Sequence, residues 1–290
     1  MANRSQPTVI QLLREAQTAL ADTLRLSANE ARIEAAMLMC RALGAVSRAW
    51  LIAHEQDAVQ PGQRIAFDAM LQRRVRGEPM AYILGEREFF GLSFKVTPAT
   101  LIPRPETELL VELALQRIPK NQNCRILDLG AGSGAIALSI AHARQNIEVV
   151  AVDASPDALE VAHGNAARLG IGNTAFVHSD WYAALGQQRF RVIVSNPPYI
   201  AESDAHLGEG DLRFEPGAAL ASGADGLDDI RHIVAGAQAH LEPDGWLLLE
   251  HGYDQAARVR QLLRDSGFAE VFSARDLAGI ERVTGGKNPG

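Results

Sequence analysis

Strand-like and helix-like segments alternate from Cys124 to the end of the chain, and this alternation restricts the possible folds more than any other feature. Short apolar segments rich in β-branched residues recur at 125–129, 148–152 and 190–194, which is typical of buried strands. Longer segments with helical periodicity separate them. This order predicts an α/β fold with a doubly wound, mostly parallel sheet. The last strand candidates are expected to include an antiparallel strand.

The first 85 residues follow a different pattern, because their apolar residues recur at helical spacing without strand-like segments. Ser27 and Glu30 have the spacing of a capping box at the start of one helix. We therefore predict a small all-helical domain over 1–85. Residues 86–104 combine a hairpin pattern with several prolines, and we expect them to link this domain to a second one over 105–290.

Three arginines, Arg73, Arg74 and Arg76, lie together near the end of the helical domain. A solvent-exposed helix end explains this cluster, and it is the preferred interpretation. The alternative is a contact with RNA or with an acidic partner.

Composition and charge narrow the class of protein. The chain has 290 residues and a formal net charge of −7, which argues against a broad nucleic-acid surface. Cys40 and Cys124 are its only cysteines, and free thiols in a reducing compartment explain them most simply. No apolar run reaches the ~18 residues of a membrane span, and the segment from Met1 to Pro7 lacks the apolar core of a signal peptide. We expect a cytoplasmic monomer without a bound metal.

A glycine-rich turn follows the first predicted strand of the second domain, with the sequence Asp128-Leu129-Gly130-Ala131-Gly132-Ser133-Gly134. Gly130 permits a sharp turn, Gly132 lets a ligand approach the backbone, and Gly134 permits close packing of the next helix. Asp153 follows ~20 positions later at the end of the next strand, where a carboxylate can meet the hydroxyls of a ribose. The combination predicts a nucleoside-cofactor site rather than a purely structural turn.

The details of the turn favour S-adenosylmethionine as the cofactor. The third glycine comes one residue earlier than in a dinucleotide-binding loop, and no P-loop lysine follows. Asp128 would repel a pyrophosphate but tolerate a cationic ligand. After the third strand, Asp180 could accept a hydrogen bond from an adenine amino group and Trp181 could pack on its ring. A turn residue and a core aromatic are equally good explanations of these two.

The segment Asn196-Pro197-Pro198-Tyr199 follows a buried strand at 190–194. Its prolines fix an extended, rigid loop, and loops at the carboxyl ends of parallel strands bind ligands in open α/β sheets. Asn196 and the Pro197 carbonyl could hold a planar group that bears an NH2, and Tyr199 offers a flat face. A structural Pro-Pro turn is the alternative for this segment taken alone.

The glycine turn, Asp153 and the Asn-Pro-Pro-Tyr loop together resemble class I amino-methyltransferases. Further segments resemble the protein-(glutamine) methyltransferases that act on class 1 peptide chain release factors: Phe90 to Val96, Leu101 to Glu108, Arg125 to Gly130, Ser179 to Trp181, Asp211 to Pro216 and Leu249 to Gly252. The resemblance covers nearly the whole chain. It implies a Rossmann-like methyltransferase sheet, a helical substrate-recognition domain, and methylation of the glutamine in a Gly-Gly-Gln loop.

The chemistry of amide methylation indicates which residues would act in such a site. An amide nitrogen is a weak nucleophile, so the enzyme must position it and stabilise the developing charge. Asn196 Oδ1 and the Pro197 carbonyl can accept the two amide hydrogens, while Tyr199 packs on the amide and Pro198 completes the substrate site. We assign no general base. Gly130 to Gly134, Asp153, Asp180, Trp181 and Asn196 are the predicted cofactor-binding residues.

Several questions stay open at this point. Arg104 and Glu106 either orient the linker over the cofactor or form an ion pair at a helix start. The segment Asp211 to Pro216 has no assigned role. Alternative acceptors are the glutamine of a ribosomal protein and, with less support, an adenine of a nucleic acid. A non-catalytic module that only binds the cofactor is a further alternative, which the intact Asn196 to Tyr199 loop disfavours.

Overall fold

The computed structural model describes residues 6–120 and 122–290. The chain divides into two units, Met1–Gly85 and Glu86–Gly290. The expectation about a signal peptide falls largely on residues 1–5, which lie outside the described residues. None of the helices in the described ranges is long and apolar enough to cross a bilayer.

The first unit is helical, as predicted, and its described helices are α1 (Val9–Leu24), α2 (Ala28–Ala42), α3 (Arg48–Ala53), α4 (Pro61–Val75) and α5 (Met80–Leu84). The predicted capping box is confirmed: Ser27 Oγ accepts from the Glu30 N–H at 3.3 Å, and Glu30 Oε2 accepts from the Ser27 N–H at 2.8 Å. Helix α5 is only five residues long, too short for its periodicity to predict.

The preferred interpretation of the three arginines as a solvent-exposed helix end is wrong for Arg74, whereas Arg76 is exposed. Arg74 is buried, and its Nε and Nη2 donate to the two carboxylate oxygens of Glu34 at 2.8 and 3.0 Å. Arg73 donates through Nε to Glu78 at 2.8 Å. These side chains connect elements within the unit, because a buried guanidinium requires a carboxylate partner.

The second unit contains a two-stranded hairpin and a seven-stranded sheet. The hairpin strands are β1 (Glu86–Phe89) and β2 (Leu92–Lys95). The sheet strands are β3 (Arg125–Leu129), β4 (Glu148–Asp153), β5 (Thr174–His178), β6 (Phe190–Ser195), β7 (Leu241–Glu250), β8 (Ala269–Arg275) and β9 (Glu281–Lys287). The helices are α6 (Glu108–Arg117), α7 (Ala135–Ala143), α8 (Pro156–Leu169), α9 (Asp228–His240) and α10 (Ala256–Asp265).

The strand order in the sheet is β5-β4-β3-β6-β7-β9-β8. The first five strands are parallel, and β9 is antiparallel to both of its neighbours. This confirms the doubly wound sheet with an antiparallel element at its end. The chain enters in the middle at β3, winds outward to β5, and then crosses back to β6. The order therefore reverses between β3 and β6.

Both faces of the sheet are buried, because alternate residues of each central strand enter different cores. On β3, Ile126 packs with α6 and α7, whereas Leu127 and Leu129 pack on the opposite face with α9 and α10. Burial on two faces explains why these strands are apolar at nearly every position.

The hairpin packs against the sheet unit. Phe89 and Phe94 are buried in the same core as α6 and α7. Asn165 of α8 accepts from the Lys95 N–H at 2.7 Å and donates to the Lys95 carbonyl at 3.0 Å. The segment predicted as a linker thus begins with a hairpin that is anchored to the second unit.

Candidate active site

The site lies where the strand order reverses. β3 and β6 are paired neighbours, with Leu129 opposite Ser195, so their carboxyl ends lie side by side. Gly130 continues from β3, and Asn196 continues from β6. Open α/β sheets bind ligands in the crevice formed at such a point, because the two loops diverge there.

The glycine turn is held by hydrogen bonds to the neighbouring strand. The N–H groups of Gly130 and Ala131 both donate to the Val152 carbonyl at 2.9 Å. Gly134 has φ +80°, and a Cβ there would lie 3.1 Å from Leu138 and 3.2 Å from Ala162. The predicted role of Gly134 in close helix packing is therefore confirmed.

Asp153 ends β4 and faces the turn. Its Oδ2 accepts from the Gly132 N–H at 2.8 Å, and its Oδ1 accepts from the Ser155 N–H at 2.8 Å. Each carboxylate oxygen has a further lone pair for a ligand hydroxyl. The backbone contacts fix the direction of the carboxylate before any ligand binds.

A cavity of about 440 Å³ opens at these strand ends. Its volume is in the range of small-molecule sites. The predicted residues that line it are Gly130, Gly132, Asp153, Asp180, Trp181, Asn196 and Pro198. Residues from two further loops also line it: Ala99, Thr100, Leu101, Pro216, Ala218 and Ala219.

Ala131, Ser133 and Gly134 do not line this cavity, in contrast to the prediction that they contact the cofactor. Ala131 and Ser133 are buried beneath the turn, and the Ser133 carbonyl accepts from Asn165 Nδ2 at 2.9 Å. Gly134 faces the packed helices instead. Their backbone supports the turn, while Gly130 and Gly132 face the open space.

Trp181 lies over the glycine turn. A Cβ on Gly130 would be 3.7 Å from its ring, so the indole and the turn form adjacent walls of the cavity. Ser179 fixes this loop, because its hydroxyl donates to the Trp181 carbonyl at 2.8 Å and accepts from the Ala184 N–H at 3.0 Å. Asp180 lines the cavity beside the indole.

A second, smaller cavity of about 50 Å³ adjoins Asn196. Pro197 and Tyr199 line it, together with Arg104 and Leu212. Asn196 lines both cavities. Its Nδ2 donates to Thr107 Oγ1 at 3.2 Å, whereas its Oδ1 is buried and has no hydrogen-bond partner among the described residues. Such an acceptor is costly to bury, so a donor from a ligand would satisfy it.

The far side of Tyr199 faces a buried carboxyl group. Tyr199 Oη is 3.5 Å from Glu250 Oε1, and Glu250 is buried at the end of β7. Burial raises the pKa of Glu250 to about 7, although a hydrogen bond from the Thr107 hydroxyl and the charge of Arg282 oppose the shift. Burial and the nearby Glu250 carboxylate raise the pKa of Tyr199 far above its usual value. The phenol therefore stays protonated at neutral pH.

Arg104 pairs with Glu215, which resolves the open question about its partner. Its Nη2 forms an ion pair with Glu215 Oε1, and the Ile102 N–H donates to Glu215 Oε2 at 3.0 Å. Burial raises the pKa of Glu215, against the charge of Arg104. A helix-start pair with Glu106 is thus wrong for Arg104. The contact joins the two loops that cover the large cavity.

Asp128 lies beneath the turn and does not line the cavity. It is fully buried, and its Oδ2 accepts from the Ala137 N–H at 3.0 Å. Its Oδ1 has no partner in the described ranges. Burial raises the pKa of Asp128 to about 7; the Ala137 N–H opposes the shift and the charge of Asp153 adds to it.

Sequence reasoning missed several residues that shape the site. Thr107 contacts Asn196, Glu215 anchors the covering loops, and Asn165 connects the hairpin to the turn. Thr107 and Glu215 do occur in segments that carry the family resemblance, at 101–108 and 211–216. The family resemblance of those segments indicates that they matter for the site. The spacing of residues along the sequence does not show which of their side chains contact each other.

Two family models match separate parts of the chain. The model described as PrmC N-terminal domain matches residues 11–85, and the Methyltransferase small domain matches residues 107–210. These ranges correspond to the helical unit and to the part of the sheet unit that contains the glycine turn and Asn196.

Curated relatives match over most of the chain. A release factor glutamine methyltransferase of Bordetella pertussis is 54% identical over 256 residues, which is 88% of this chain and 94% of that protein. The chain belongs to the release factor glutamine methyltransferase family. A second member, from Burkholderia pseudomallei, is 53% identical over 276 residues, 93% of this chain and 96% of that protein.

A solved structure supports the fold assignment of this family member. The T. thermophilus 16S rRNA N2 G1207 methyltransferase, in complex with AdoMet and guanosine, has a TM-score of 0.52 and 22% identity. The match covers 70% of this chain and 49% of that chain. At this identity the similarity shows the shared Rossmann-like methyltransferase fold.

The cavity fits the methyl donor of this family, S-adenosylmethionine. The Asp153 carboxylate and the Trp181 indole both belong to residues that line this cavity. The cavity reaches Asn196, whose buried Oδ1 has no hydrogen-bond partner among the described residues. Among the described residues there is no cluster of three potential metal ligands.

Proposed function

We propose that this chain methylates the side-chain amide nitrogen of the glutamine in the Gly-Gly-Gln loop of class 1 peptide chain release factors, with S-adenosylmethionine as methyl donor. One observation carries the residue assignment. Asn196 lines both the cavity that suits the cofactor and the small cavity that suits a side-chain amide, and its buried Oδ1 has no partner among the described residues.

The smaller cavity suits the end of a glutamine side chain. Its volume of about 50 Å³ suits a small planar group. Asn196 Oδ1 and the Pro197 carbonyl accept the two amide hydrogens, which places the nitrogen toward the larger cavity. Tyr199 and Leu212 line the same small cavity and exclude water from the amide.

The two acceptors also help the chemistry. The cofactor supplies an activated methyl group whose leaving group is a neutral thioether. Positive charge then develops on the amide nitrogen, and preorganised carbonyl oxygens stabilise it most effectively in a site without water. Because the amide hydrogens become more acidic as this charge develops, the hydrogen bonds to Asn196 and Pro197 strengthen in the transition state.

No residue in the site is suited to act as an obligatory base. The raised pKa keeps Tyr199 protonated, and the buried Glu250 is not among the residues that line either cavity. The proton on the methylated nitrogen leaves after transfer. Orientation and charge stabilisation are therefore the contributions of this chain's residues.

Asp153, Trp181 and Asp180 are the residues we assign to the nucleoside part of the cofactor. Asp153 accepts from the ribose hydroxyls, Trp181 packs on the adenine, and Asp180 accepts from its amino group. Gly130 and Gly132 line the cavity where the methionine part approaches the backbone. We assign recognition of the release factor to the helical unit over 1–85, and we expect the chain to act as a monomer in the cytoplasm.

An acceptor assay tests this proposal. The chain is incubated with methyl-labelled S-adenosylmethionine and, in separate reactions, a class 1 release factor, ribosomal proteins, and DNA. We expect label on the release factor alone. Label on ribosomal proteins or DNA in place of the release factor would contradict the proposed acceptor.

A further inference from the structure

The segment Asn196-Pro197-Pro198-Tyr199, which we call the acceptor loop, has few main-chain groups that can hold it in place. Its two prolines have no N–H, so the middle of the loop cannot be fixed by its own main-chain donors. The same prolines have fixed φ angles, which make the loop stiff, so a shift at one end reaches the other. The anchors at the two ends of the acceptor loop therefore decide where the Pro197 carbonyl and the Tyr199 ring lie.

The start of the acceptor loop is fixed to β3. Ser195 Oγ donates to the Leu129 carbonyl at 2.7 Å, and both residues are buried. This hydrogen bond lies where the strand order reverses, directly before Gly130 on one strand and Asn196 on the other. It holds the first residue of the loop. The end that carries Tyr199 needs an anchor of its own.

The side chain of Gln255 provides that second anchor. Gln255 directly precedes α10 and is buried, at 6% exposure. Its Nε2 donates to the Tyr199 carbonyl at 2.9 Å and to the Gly226 carbonyl at 3.3 Å, and its Oε1 accepts from the Gly252 N–H at 2.8 Å. The two carbonyls need donors and the N–H needs an acceptor, so only one orientation of the amide satisfies all three groups. The Gln255 amide thus joins three separate segments at one point.

Two glycines leave room for the Gln255 amide. A Cβ on Gly226 would lie 2.8 Å from Gln255 Nε2 and would collide with the Tyr199 carbonyl oxygen. A Cβ on Gly252 would lie 3.0 Å from Gln255 Oε1. Both distances are shorter than an ordinary Cβ contact, so the two backbones approach the amide this closely because they carry no side chain there.

From this arrangement we propose that Gln255 is a positioning residue for methyl transfer, which holds the Tyr199 end of the acceptor loop so that the Tyr199 ring and the Pro197 carbonyl meet the substrate amide. The proposal rests on the proposed function of the acceptor loop and extends it to a residue that lines neither cavity. Pro197 and Tyr199 line the small cavity and not the large one. Loss of the anchor should therefore affect the transfer step more than cofactor binding.

A matched set of variants tests the NH2 donor of Gln255. Gln255→Glu keeps the shape and the acceptor for the Gly252 N–H but replaces the donor with an oxygen, and Gln255→Met removes both at similar size. Gln261→Met is the control, because Gln261 is exposed on α10. We expect kcat for release-factor methylation, per folded chain, to fall about tenfold or more in both Gln255 variants, since small misplacements at a reacting group are costly. The Kd for S-adenosylmethionine should stay within about twofold.

Unchanged kcat in Gln261→Met completes the expected result. Wild-type kcat in Gln255→Glu would overturn the proposal, because a role in packing alone is preserved by a side chain of the same shape. A loss in Gln261→Met as large as in Gln255→Met would overturn it as well. If either Gln255 variant fails to fold, Gln255→Asn replaces it. Its amide is one methylene shorter and withdraws from the Tyr199 carbonyl, so we expect the same fall in kcat.

Nuclear magnetic resonance of the tyrosine rings separates this inference from the proposed function. The chain has four tyrosines, so selective labelling together with the Tyr199→Phe variant assigns the ring signals of Tyr199. We expect Gln255→Glu to shift these signals and to leave those of Tyr82, in the helical unit, at their wild-type positions. An unshifted Tyr199 ring would overturn the positioning role even if the wild-type chain methylates a release factor. A wild-type chain that fails to methylate the release factor contradicts the proposed function instead, and the ring shift is expected all the same.

Discussion

The Gly132 N–H donates to Asp153 Oδ2 at 2.8 Å, which connects the glycine turn after β3 to the end of β4. The bond fixes the turn and the carboxylate relative to one another. Asp153 is therefore an anchor for the glycine turn, in addition to the role as a ribose ligand that we propose for it.

Asp153→Ala should weaken cofactor binding before it affects anything else. The variant loses the acceptor for ribose hydroxyls and leaves the Gly132 and Ser155 N–H groups without their partner. We expect the Kd for S-adenosylmethionine, measured by titration calorimetry, to rise by about 10- to 100-fold, from the ~1.5–3 kcal/mol of hydrogen bonds to a charged group. Asp157→Asn, in the first turn of α8, is the control. An unchanged Kd in Asp153→Ala would refute the ribose assignment.

Arg104→Ala should loosen the two loops that cover the cavity. Among the described residues, the substitution leaves buried Glu215 with the Ile102 N–H as its one remaining hydrogen-bond partner, which destabilises by about 1–3 kcal/mol. We expect a lower free energy of unfolding in denaturant and a weaker Kd for S-adenosylmethionine. Because both partners belong to one contact, Arg104→Ala combined with Glu215→Gln should cost less than the sum of the single variants. Strict additivity would show that the pair is not coupled.

Gly226→Ala should disturb the Asn196–Tyr199 loop from a distance. Gly226 has φ +73°, and a Cβ there would collide with the Tyr199 carbonyl oxygen. We expect a loss of about 1–3 kcal/mol in the free energy of unfolding, together with reduced kcat. Gly172→Ala is the matched control, because a Cβ at that position meets no atom within 4 Å. Equal stability of the two variants would argue against this packing.

Asp128 should make the stability of the protein depend on pH. The folded pKa of about 7 exceeds the ordinary value of 3.8, so the folded state binds a proton that the unfolded state releases between these values. The contribution of Asp128 is therefore fully present below pH ~4 and is lost as the pH rises through about 7. One titrating group can change the free energy of unfolding by at most ~1.4 kcal/mol per pH unit.

Asp128→Asn is isosteric and cannot ionise, so it should flatten this part of the profile. Denaturant unfolding of wild type and variant at several pH values between 3.8 and about 7, the window set by the ordinary and the folded pKa of Asp128, gives the comparison. We expect the free energy of wild-type unfolding to fall more steeply with rising pH than that of Asp128→Asn. Parallel profiles would indicate that Asp128 ionises normally.

Much of the fold was predictable, because local patterns decide it. Alternating apolar segments specify strands buried on two faces, and the Ser27–Glu30 spacing specifies a helix start. The apolar spacing over 228–240 predicts a helix, and α9 has these bounds, Asp228–His240. The apolar run over 246–250 predicts a strand, but β7 already begins at Leu241; its first residues include Pro243 and Asp244, which disfavour a strand when only the sequence is considered.

The parts of the site that lie on one turn or loop were also predictable, whereas contacts between distant loops were not. The glycine turn and Asn196 follow strands, so topology brings them together. The pairs Arg104–Glu215 and Asn196–Thr107 join residues 111 and 89 positions apart, for which no local signal exists. The failure at Arg74 has the same origin, since its partner Glu34 is 40 positions away.

Site mapping by mass spectrometry tests the central claim most directly. A release factor is incubated with S-adenosylmethionine and either the wild-type chain or Asn196→Ala, digested, and sequenced by tandem mass spectrometry. We predict one added methyl group on the glutamine of the Gly-Gly-Gln peptide with the wild-type chain. With Asn196→Ala we predict a rate at least ~100-fold lower, as for loss of one preorganised group that stabilises transition-state charge, and a cofactor Kd near that of wild type. A methyl group on another residue, or full activity of Asn196→Ala, would contradict the account.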